Sequence, residues 1–298
     1  MSFQPHTAME IASQPRCWRQ AHQIAGEVSS RLPLPGERVA VVGCGTSYFM
    51  ALAYALLREG GGHGLTDAFP ASEFPATRDY DRMIAISRSG TTTEILDLLD
   101  QVRGSLPTLV ITADPAAPVA DHADETLALD FADEQSVVQT RFATTSLAML
   151  RSSLGHDIGR VADDADQVLA RDLDPTLSQV QQFTFLGRSW TTGLAHEAAL
   201  KIRESAGTWT ESYHAMEYRH GPIAVAQPGR VTWMFGVAPT GLAEQVTATG
   251  ARFINGNGLD PMAELITAQR VALAQAQARD LDPDRPRNLS RAVVLDVH

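Results

Sequence analysis

The stretch that decides the fold is Arg38-Val39-Ala40-Val41-Val42-Gly43-Cys44-Gly45-Thr46-Ser47. Residues 38–42 form a short apolar run, which is typical of a strand buried on both faces. The two glycines allow a tight turn, and residues 48–58 continue as a helix rich in Ala and Leu. A buried strand that passes through a glycine turn into a helix indicates an α/β fold with a parallel sheet.

The alternation of strand and helix continues along the chain. Apolar runs predict further strands at 83–86, 108–111, 125–129, 183–187, 231–235 and 251–254, and helices at 94–102, 143–182, 194–206 and 262–279. A strand, a glycine turn, a hydroxyl-rich loop and a helix follow one another at 39–58 and again at 183–206, as in an internal repeat. We therefore expect two α/β domains, each a doubly wound, flavodoxin-like parallel sheet flanked by helices. The predicted parts are a helical lead-in at 1–35, a first domain at 36–170 and a second at 171–298.

Composition and charge narrow the classes of function. The 298 residues suit about two domains. The net charge of −11 argues against a nucleic-acid-binding protein, which depends on clustered Lys and Arg, but a few local donors still suffice for a small anion. No apolar run is long enough to span a membrane, and the first residues lack the apolar core of a secretory signal. Two cysteines make neither a disulfide framework nor a four-cysteine zinc site, so we expect a cytoplasmic protein without a metal or cofactor.

The first candidate site is the turn at residues 43–47. The start of a helix offers free N–H groups to an anion, and Thr46 and Ser47 place hydroxyls where a sugar or a phosphate can bind. The dinucleotide fingerprint needs a third glycine where Tyr48 stands, and the Gly-Lys-Ser/Thr triplet of a P-loop does not occur. A plain strand-to-helix turn is the alternative.

The second candidate is the loop Ser87-Arg88-Ser89-Gly90-Thr91-Thr92-Thr93, which follows a predicted strand and opens a helix. Five hydroxyls and consecutive N–H groups can supply several hydrogen bonds to one phosphate, and the Arg88 guanidinium can add a charge-assisted bond. A cluster of helix caps is the alternative, but one cap needs only one hydroxyl. The pattern favours a phosphate-binding loop.

Two further stretches carry acid–base groups. Glu197, Lys201 and Glu204 lie at offsets of zero, four and seven and share one face of an apolar helix, so they form either a surface ion-pair stripe or a cleft-facing set that includes a base. His220 precedes Gly221-Pro222, a turn that suits either a catalytic histidine or an ordinary surface one.

Taken together, these stretches resemble the sugar isomerase (SIS) family, in particular the two-domain isomerase half of glucosamine-6-phosphate synthase. The matching segments run in the family's order over nearly the whole chain: Met9-Glu10-Ile11 with Gln14-Pro15, Cys44-Gly45-Thr46-Ser47, Ala71-Ser72-Glu73-Phe74, Ser87-Arg88-Ser89-Gly90, Val137 with Thr140, Glu197 with Lys201 and Glu204, His220-Gly221-Pro222, and Asp284-Arg285-Pro286-Arg287-Asn288-Leu289. The glutaminase half has no counterpart here, so we expect no use of glutamine as an ammonia source.

The resemblance implies a role for each matched position. It implies that Ser87, Ser89 and Thr92 bind the phosphate and that Thr46 and Ser47 bind sugar hydroxyls. It also implies a backbone contact from Val137, a C2 base in Glu204, and a ring-opening His220 from the neighbouring subunit of a homodimer. We expect Lys201, Arg88 and Arg291 among the residues that bind the substrate or its phosphate. Two positions depart from the family: Arg88 replaces a glutamine, and Arg291 replaces the lysine that forms an imine with the ketose.

An arginine stays protonated and forms no imine, so amination of fructose 6-phosphate is in doubt while proton abstraction at C2 remains. We expect an enzyme that acts on an amino-sugar 6-phosphate, with dehydration of N-acetylglucosamine 6-phosphate as the specific prediction. The alternatives are an aldose–ketose isomerase or deaminase, a deglycase, and a phosphosugar sensor without catalysis. A sensor is less favoured because both Glu204 and His220 are present.

Overall fold

The buried apolar runs form the strands of two parallel sheets. The structure is a computed structural model that describes residues 5–256 and 258–295. Its helices and strands are α1 His6–Ala12, α2 Gln14–Ala25, β1 Val39–Gly43, α3 Thr46–Gly60, β2 Thr66–Pro70, β3 Arg82–Ile86, α4 Thr93–Val102, β4 Thr108–Thr112, α5 Val119–His122, β5 Glu125–Ala128, α6 Arg141–Ser153, α7 Ile158–Ala170, β6 Gln182–Gly187, α8 Thr191–Ala206, β7 Trp209–His214, β8 Val231–Met234, α9 Leu242–Ala248, β9 Arg252–Asn255 and α10 Pro261–Ala278. Short 3₁₀ turns include Pro175–Gln179, Glu217–His220 and Pro222–Val225.

The two sheets have related strand orders. The first is β2-β1-β3-β4-β5, the flavodoxin-like order, and the second is β7-β6-β8-β9. All of their strand pairs are parallel, which confirms the predicted α/β class. The central strands β1, β3 and β4 are buried along almost their whole length, as expected when helices cover both faces of a sheet.

The chain folds into two compact units that are not contiguous in sequence. The first-sheet unit joins Arg16–Gln135, Gln139–Gly159 and the chain from Ser290 onward. The second-sheet unit joins the chain up to Pro15, Ser136–Val138 and Arg160–Leu289. These units follow limits other than 36–170 and 171–298, because the chain from Arg160 to Leu289 groups with the second sheet and the chain from Ser290 onward with the first. The helix α1 packs on α10 and also groups with the second sheet. The assignment of those two ranges as SIS domains stays a prediction.

Three sequence-based expectations about local structure need correction. The helical stretch predicted at 143–182 is wrong as one element, since α6 ends at Ser153, α7 ends at Ala170 and a 3₁₀ turn begins at Pro175. The strands β2 and β7 were not expected. Both are edge strands with polar residues, so neither shows an apolar run.

Over residues 5–256 and 258–295, none of the helices has both the length and the apolar character that crossing a bilayer requires.

Candidate functional site

The two hydroxyl-rich loops of the first-sheet unit meet at the carboxyl ends of neighbouring strands. Gly43, the last residue of β1, pairs with Ile86, the last residue of β3. The strand order reverses between β1 and β3, and doubly wound sheets bind ligands at this switch point. The loops that follow β1 and β3 therefore begin side by side at the same edge of the sheet.

A pocket of about 30 Å³ lies between these loops. Its lining contains six residues that the sequence singled out, namely Ser47, Ser87, Arg88, Ser89, Thr92 and Arg291, together with Cys44, Ile86, Ile95 and Gln139. Thr46, the first residue of α3, is buried but is not part of this lining. The structure thus brings most of the predicted phosphate-site residues together within one unit.

The backbone of the 87–93 loop turns tightly at Gly90. Gly90 has a φ of +63°, and a Cβ there would approach the Cβ of Ala117 to 2.5 Å, so this position requires glycine. The Ser89 hydroxyl accepts a hydrogen bond from the Thr91 N–H at 3.3 Å. Thr92 is the N-cap residue of α4, yet its hydroxyl makes no capping hydrogen bond. The alternative of a simple helix cap therefore does not account for Thr92.

Arg88 is held by groups of its own unit. Its side chain is buried, and Nη1 lies 3.7 Å from Oε2 of Glu134. Its Nη2 donates to the backbone carbonyl of Arg291 at 2.9 Å. Arg88 therefore lines the pocket while its charge is balanced by Glu134, and it fixes the backbone of the segment that carries Arg291.

Arg291 stands at the mouth of the same pocket. Its Nη2 lies 2.5 Å from Oδ1 of Asp133, and its Nη1 donates to the backbone carbonyl of Glu134. Its side chain remains 38% exposed, unlike that of Arg88. The guanidinium is therefore fixed on one side and open to solvent on the other.

Glu134 is a site residue that the sequence analysis missed. Its Oε1 accepts hydrogen bonds from the N–H groups of Thr140 and Arg141 at 2.6 and 2.8 Å and from the Thr140 hydroxyl at 2.8 Å. A carboxylate at the start of a helix stabilises that end, and α6 begins at Arg141. A Glu shortly before a helix was the available signal, but its partner Arg88 lies far away in sequence.

Cys44 lines the pocket as a neutral thiol. Burial, and secondarily the negative charge of Glu94, raise the pKa of Cys44 to about 11. The Cys44 Sγ lies 3.7 Å from Oε2 of Glu94. A thiol with so high a pKa is a poor nucleophile at neutral pH, so the geometry favours a packing role.

In the second-sheet unit, the charged stripe of α8 is buried. The side chains of Glu197 and Lys201 are 1% and 2% exposed, and that of Glu204 is 19% exposed. The Lys201 Nζ lies 3.6 Å from Oε1 of Glu197 and 2.5 Å from Oε2 of Glu204. A surface ion-pair stripe, the alternative reading of this helix, is therefore wrong. The Lys201 ammonium lies between the two carboxylates and holds the Glu204 side chain in place.

A histidine pair lies between α8 and β7. The His196 Nδ1 is 2.8 Å from the Ser212 hydroxyl, and the His214 Nδ1 is 3.1 Å from the Thr192 hydroxyl. Burial, followed by the charges of His214 and Arg203, lowers the pKa of His196.

His220 is exposed in the Glu217–His220 turn. Within the described ranges, no group of three or more His, Cys, Asp or Glu side chains is arranged to hold a metal ion.

The backbone around Val137 is held by Asp284 and Glu10 of the second-sheet unit. Its N–H donates to the backbone carbonyl of Asp284 at 3.0 Å. The preceding Ser136 donates to Glu10 through both its N–H and its hydroxyl. The Asp284 carboxylate accepts hydrogen bonds from the N–H groups of His6 and Thr7 at 2.8 Å each. Val137 is therefore held firmly enough to offer a fixed backbone contact.

The part of the chain that forms the first sheet matches a known protein family. Residues 35–154 match the SIS domain family model. The match covers less than half of the 298 residues, so it is a similarity of that range. The match covers the strands β1 to β5 and both loops of the pocket, while the assignment of the second sheet as another SIS domain stays a prediction.

The chain is also similar to curated isomerising enzymes. The chain is homologous to the glutamine–fructose-6-phosphate aminotransferase (isomerizing) of Methanothermobacter thermautotrophicus, with 29% identity over 87% of the chain and 52% of the aminotransferase. It thus spans about half the length of that relative.

Among solved structures, one described as the glucosamine-6-phosphate deaminase of Thermotoga maritima matches with a TM-score of 0.80. The two chains are 26% identical over 97% of this chain and 100% of that one. The tagatose-6-phosphate ketose/aldose isomerase of Escherichia coli matches with a TM-score of 0.77 and 19% identity, over 99% of this chain and 100% of that one. The latter likeness concerns the fold.

Proposed function

We propose that the chain is an isomerase-type enzyme that binds a sugar 6-phosphate and removes the proton from its C2 carbon. The observation that carries this proposal is the pocket in which Ser47, Ser87, Ser89 and Thr92 converge at the switch point of the first sheet. The names of the relatives support a 6-phosphate, since they include fructose 6-phosphate, glucosamine 6-phosphate and tagatose 6-phosphate.

The phosphate is held by neutral donors more than by charge. The hydroxyls of Ser87, Ser89 and Thr92 and the amino-terminal N–H groups of α4 supply hydrogen bonds to its oxygens. The charge of Arg88 is balanced by Glu134. Arg291 keeps an exposed side and adds a charge-assisted bond as the substrate enters. These contacts orient the sugar by its C6 end.

Glu204 is the base in this proposal. After the ring opens, the C2 proton lies next to the C1 carbonyl and becomes acidic. Glu204 accepts that proton, and the buried ammonium of Lys201 stabilises the charge that develops. His220 assists ring opening, and Val137 contributes its backbone to sugar binding.

The fate of the enediol-type intermediate decides the product. Reprotonation at C1 gives aldose–ketose isomerisation, whereas loss of the C3 hydroxyl as water gives a dehydrated sugar. Arg291 forms no imine, so either outcome proceeds without a covalent intermediate at that position. Isomerisation or deamination agrees with the names of the relatives above, and dehydration of N-acetylglucosamine 6-phosphate stays a more specific prediction without support from them.

Proton exchange in heavy water tests the proposal. The protein is incubated in D₂O with fructose 6-phosphate, glucosamine 6-phosphate and N-acetylglucosamine 6-phosphate, and C1, C2 and C3 are followed by NMR. Deuterium at C2 with at least one substrate is the expected result, and the product spectrum distinguishes a ketose, free ammonia and a dehydrated sugar. Absence of exchange with all three would exclude the proposal.

The homodimer and the contribution of His220 across its interface are a second part of the proposal. Mixing His220→Asn with Glu204→Gln subunits tests it, because a mixed dimer then contains one site with both native groups. Recovery of about a quarter of the wild-type activity is expected for random mixing of the two subunits. No recovery on mixing, with each variant inactive alone, would place His220 and Glu204 of one site on the same chain.

A further inference from the structure

A second cavity lies at the amino-terminal ends of β6 and β7, within the second-sheet unit. Its volume is about 650 Å³, which is ample for a small organic ligand. Its walls include Gln182 of β6, Trp209 and Glu211 of β7, and the turn Gln227–Arg230. None of these residues belongs to the proposed phosphosugar site.

The alternation of β7 directs Trp209 and Glu211 away from α8. The intervening residues face that helix, since the Thr210 hydroxyl donates to the Ala199 carbonyl at 2.7 Å and Ser212 bonds His196. Successive side chains of a strand point to opposite faces, so Trp209 and Glu211 share the other face. Trp209 is 71% exposed, an unusual position for so large an apolar ring.

One oxygen of the Glu211 carboxylate lacks a hydrogen-bond donor, although the carboxylate also interacts with the Tyr213 hydroxyl. Its Oε2 is buried, and no donor among the described residues reaches it. A carboxylate oxygen removed from water without a donor is costly, so a ligand that brings a hydroxyl or an ammonium group to this atom is favoured.

Arg230, the basic residue of this lining, is committed to its own unit. Its Nη1 donates to the Val225 carbonyl at 2.7 Å. The Gln227 side-chain oxygen, in the amide orientation that satisfies both groups, accepts from Nε and Nη2 at 3.3 and 3.2 Å. A phosphate in this cavity would therefore meet the Glu211 charge without a compensating cation. The exposed amide of Gln181, which also lines the cavity, instead provides a donor and an acceptor that suit hydroxyl groups.

We propose that this cavity binds an unphosphorylated amino sugar, with its ammonium group on the Trp209 ring and beside the Glu211 carboxylate. A cation over an indole face is attracted to the ring electrons, and the carboxylate adds an ion pair. The hydroxyls of the sugar contact the amide of Gln181. This second ligand site does not depend on the proposed enzyme function, because none of its residues takes part in that function.

NMR of the indole N–H groups tests the proposal on the whole chain. The chain has four tryptophans, and the Trp209→Phe variant assigns the Trp209 signal. We expect addition of glucosamine to shift that signal. Glucose, which lacks the ammonium, and glucosamine 6-phosphate, which brings a phosphate near Glu211, are each expected to bind at least about tenfold more weakly.

Two variants decide between a specific site and an unspecific shift. Glu211→Gln keeps the shape of the side chain and is expected to weaken glucosamine binding by about tenfold or more, whereas the exposed control Glu244→Gln leaves it unchanged. A Trp209 signal that ignores glucosamine, or that responds equally to glucose or in Glu211→Gln, overturns the proposal. A Trp209 signal that moves on dilution without sugar also overturns it, since this face is then covered by a second copy.

Discussion

Replacing one member of the Arg88–Glu134 pair at a time reveals which side chain depends on the other. At 3.7 Å, two unit charges attract by about 4.5 kcal/mol for an effective dielectric constant of about 20. Desolvation of two fully buried groups offsets most of that attraction. The loss in the free energy of unfolding for each variant therefore depends on the hydrogen bonds and charges that the remaining partner keeps.

The surviving partners differ. In Arg88→Met, the Glu134 carboxylate keeps its hydrogen bonds from Thr140 and Arg141, so we expect a loss of about 1–2 kcal/mol in the free energy of unfolding. In Glu134→Gln, the buried guanidinium of Arg88 keeps its bond to the carbonyl of Arg291 but loses the carboxylate that lies 3.7 Å from Nη1, and we expect a loss of about 3–5 kcal/mol.

Urea unfolding followed by circular dichroism measures these differences. The double variant Arg88→Met/Glu134→Gln is expected to lose less stability than Glu134→Gln alone, because it no longer buries the guanidinium without the Glu134 carboxylate. Arg103→Met, which removes an exposed ion pair with Asp100, is the control and is expected to change little. The reasoning is refuted if Arg88→Met proves more costly than Glu134→Gln, or if the two losses simply add.

Three further predictions concern single positions. Thr92→Ala is expected to cost less than about 0.5 kcal/mol of stability, below the usual loss of about 1 kcal/mol for a helix cap, while weakening phosphosugar binding in calorimetry; a full capping loss contradicts the proposed role. Gly90→Ala is expected to destabilise the protein by at least about 2 kcal/mol in thermal unfolding, because its φ is positive and its Cβ would approach Ala117; an unchanged melting temperature would be inconsistent with this loop geometry. The pKa of His196 is lowered in the folded state, so the unfolded chain binds protons more readily and the free energy of unfolding falls as the pH drops below about 6.5. His196→Asn keeps a group able to bond Ser212 and is expected to flatten this pH dependence in unfolding measured from pH 7.5 to about 5. An equally steep dependence in the variant would assign it to other groups.

The sequence alone predicted the buried central strands of the first sheet. Apolar runs predicted β1, β3 and β4 because strands covered on both faces contain few polar residues. The edge strands β2 and β7 were missed for the opposite reason. The strand Trp209–His214 is half-exposed and contains polar residues throughout, so it shows no apolar run. Edge strands depend on their neighbours more than on their own composition.

The candidate site divides in the same way. The loop at 87–93 was predictable because its hydroxyls are contiguous in sequence. The pairing of Arg88 with Glu134 was not, since the two residues are far apart in the chain and only the folded loops bring them to 3.7 Å. The spacing of Glu197, Lys201 and Glu204 predicted a shared helix face, but only tertiary packing determines that this face is buried.

The central claim separates binding from chemistry, and one kinetic comparison tests it. Rates of C2 deuterium incorporation are measured at several substrate concentrations for the wild type, Ser89→Ala, Glu204→Gln and the control Glu244→Gln. The account predicts that Ser89→Ala mainly raises KM, that Glu204→Gln lowers kcat by at least about a hundredfold with little change in substrate affinity, and that the control behaves as wild type. A Glu204→Gln protein that exchanges the C2 proton at the wild-type rate would contradict the account.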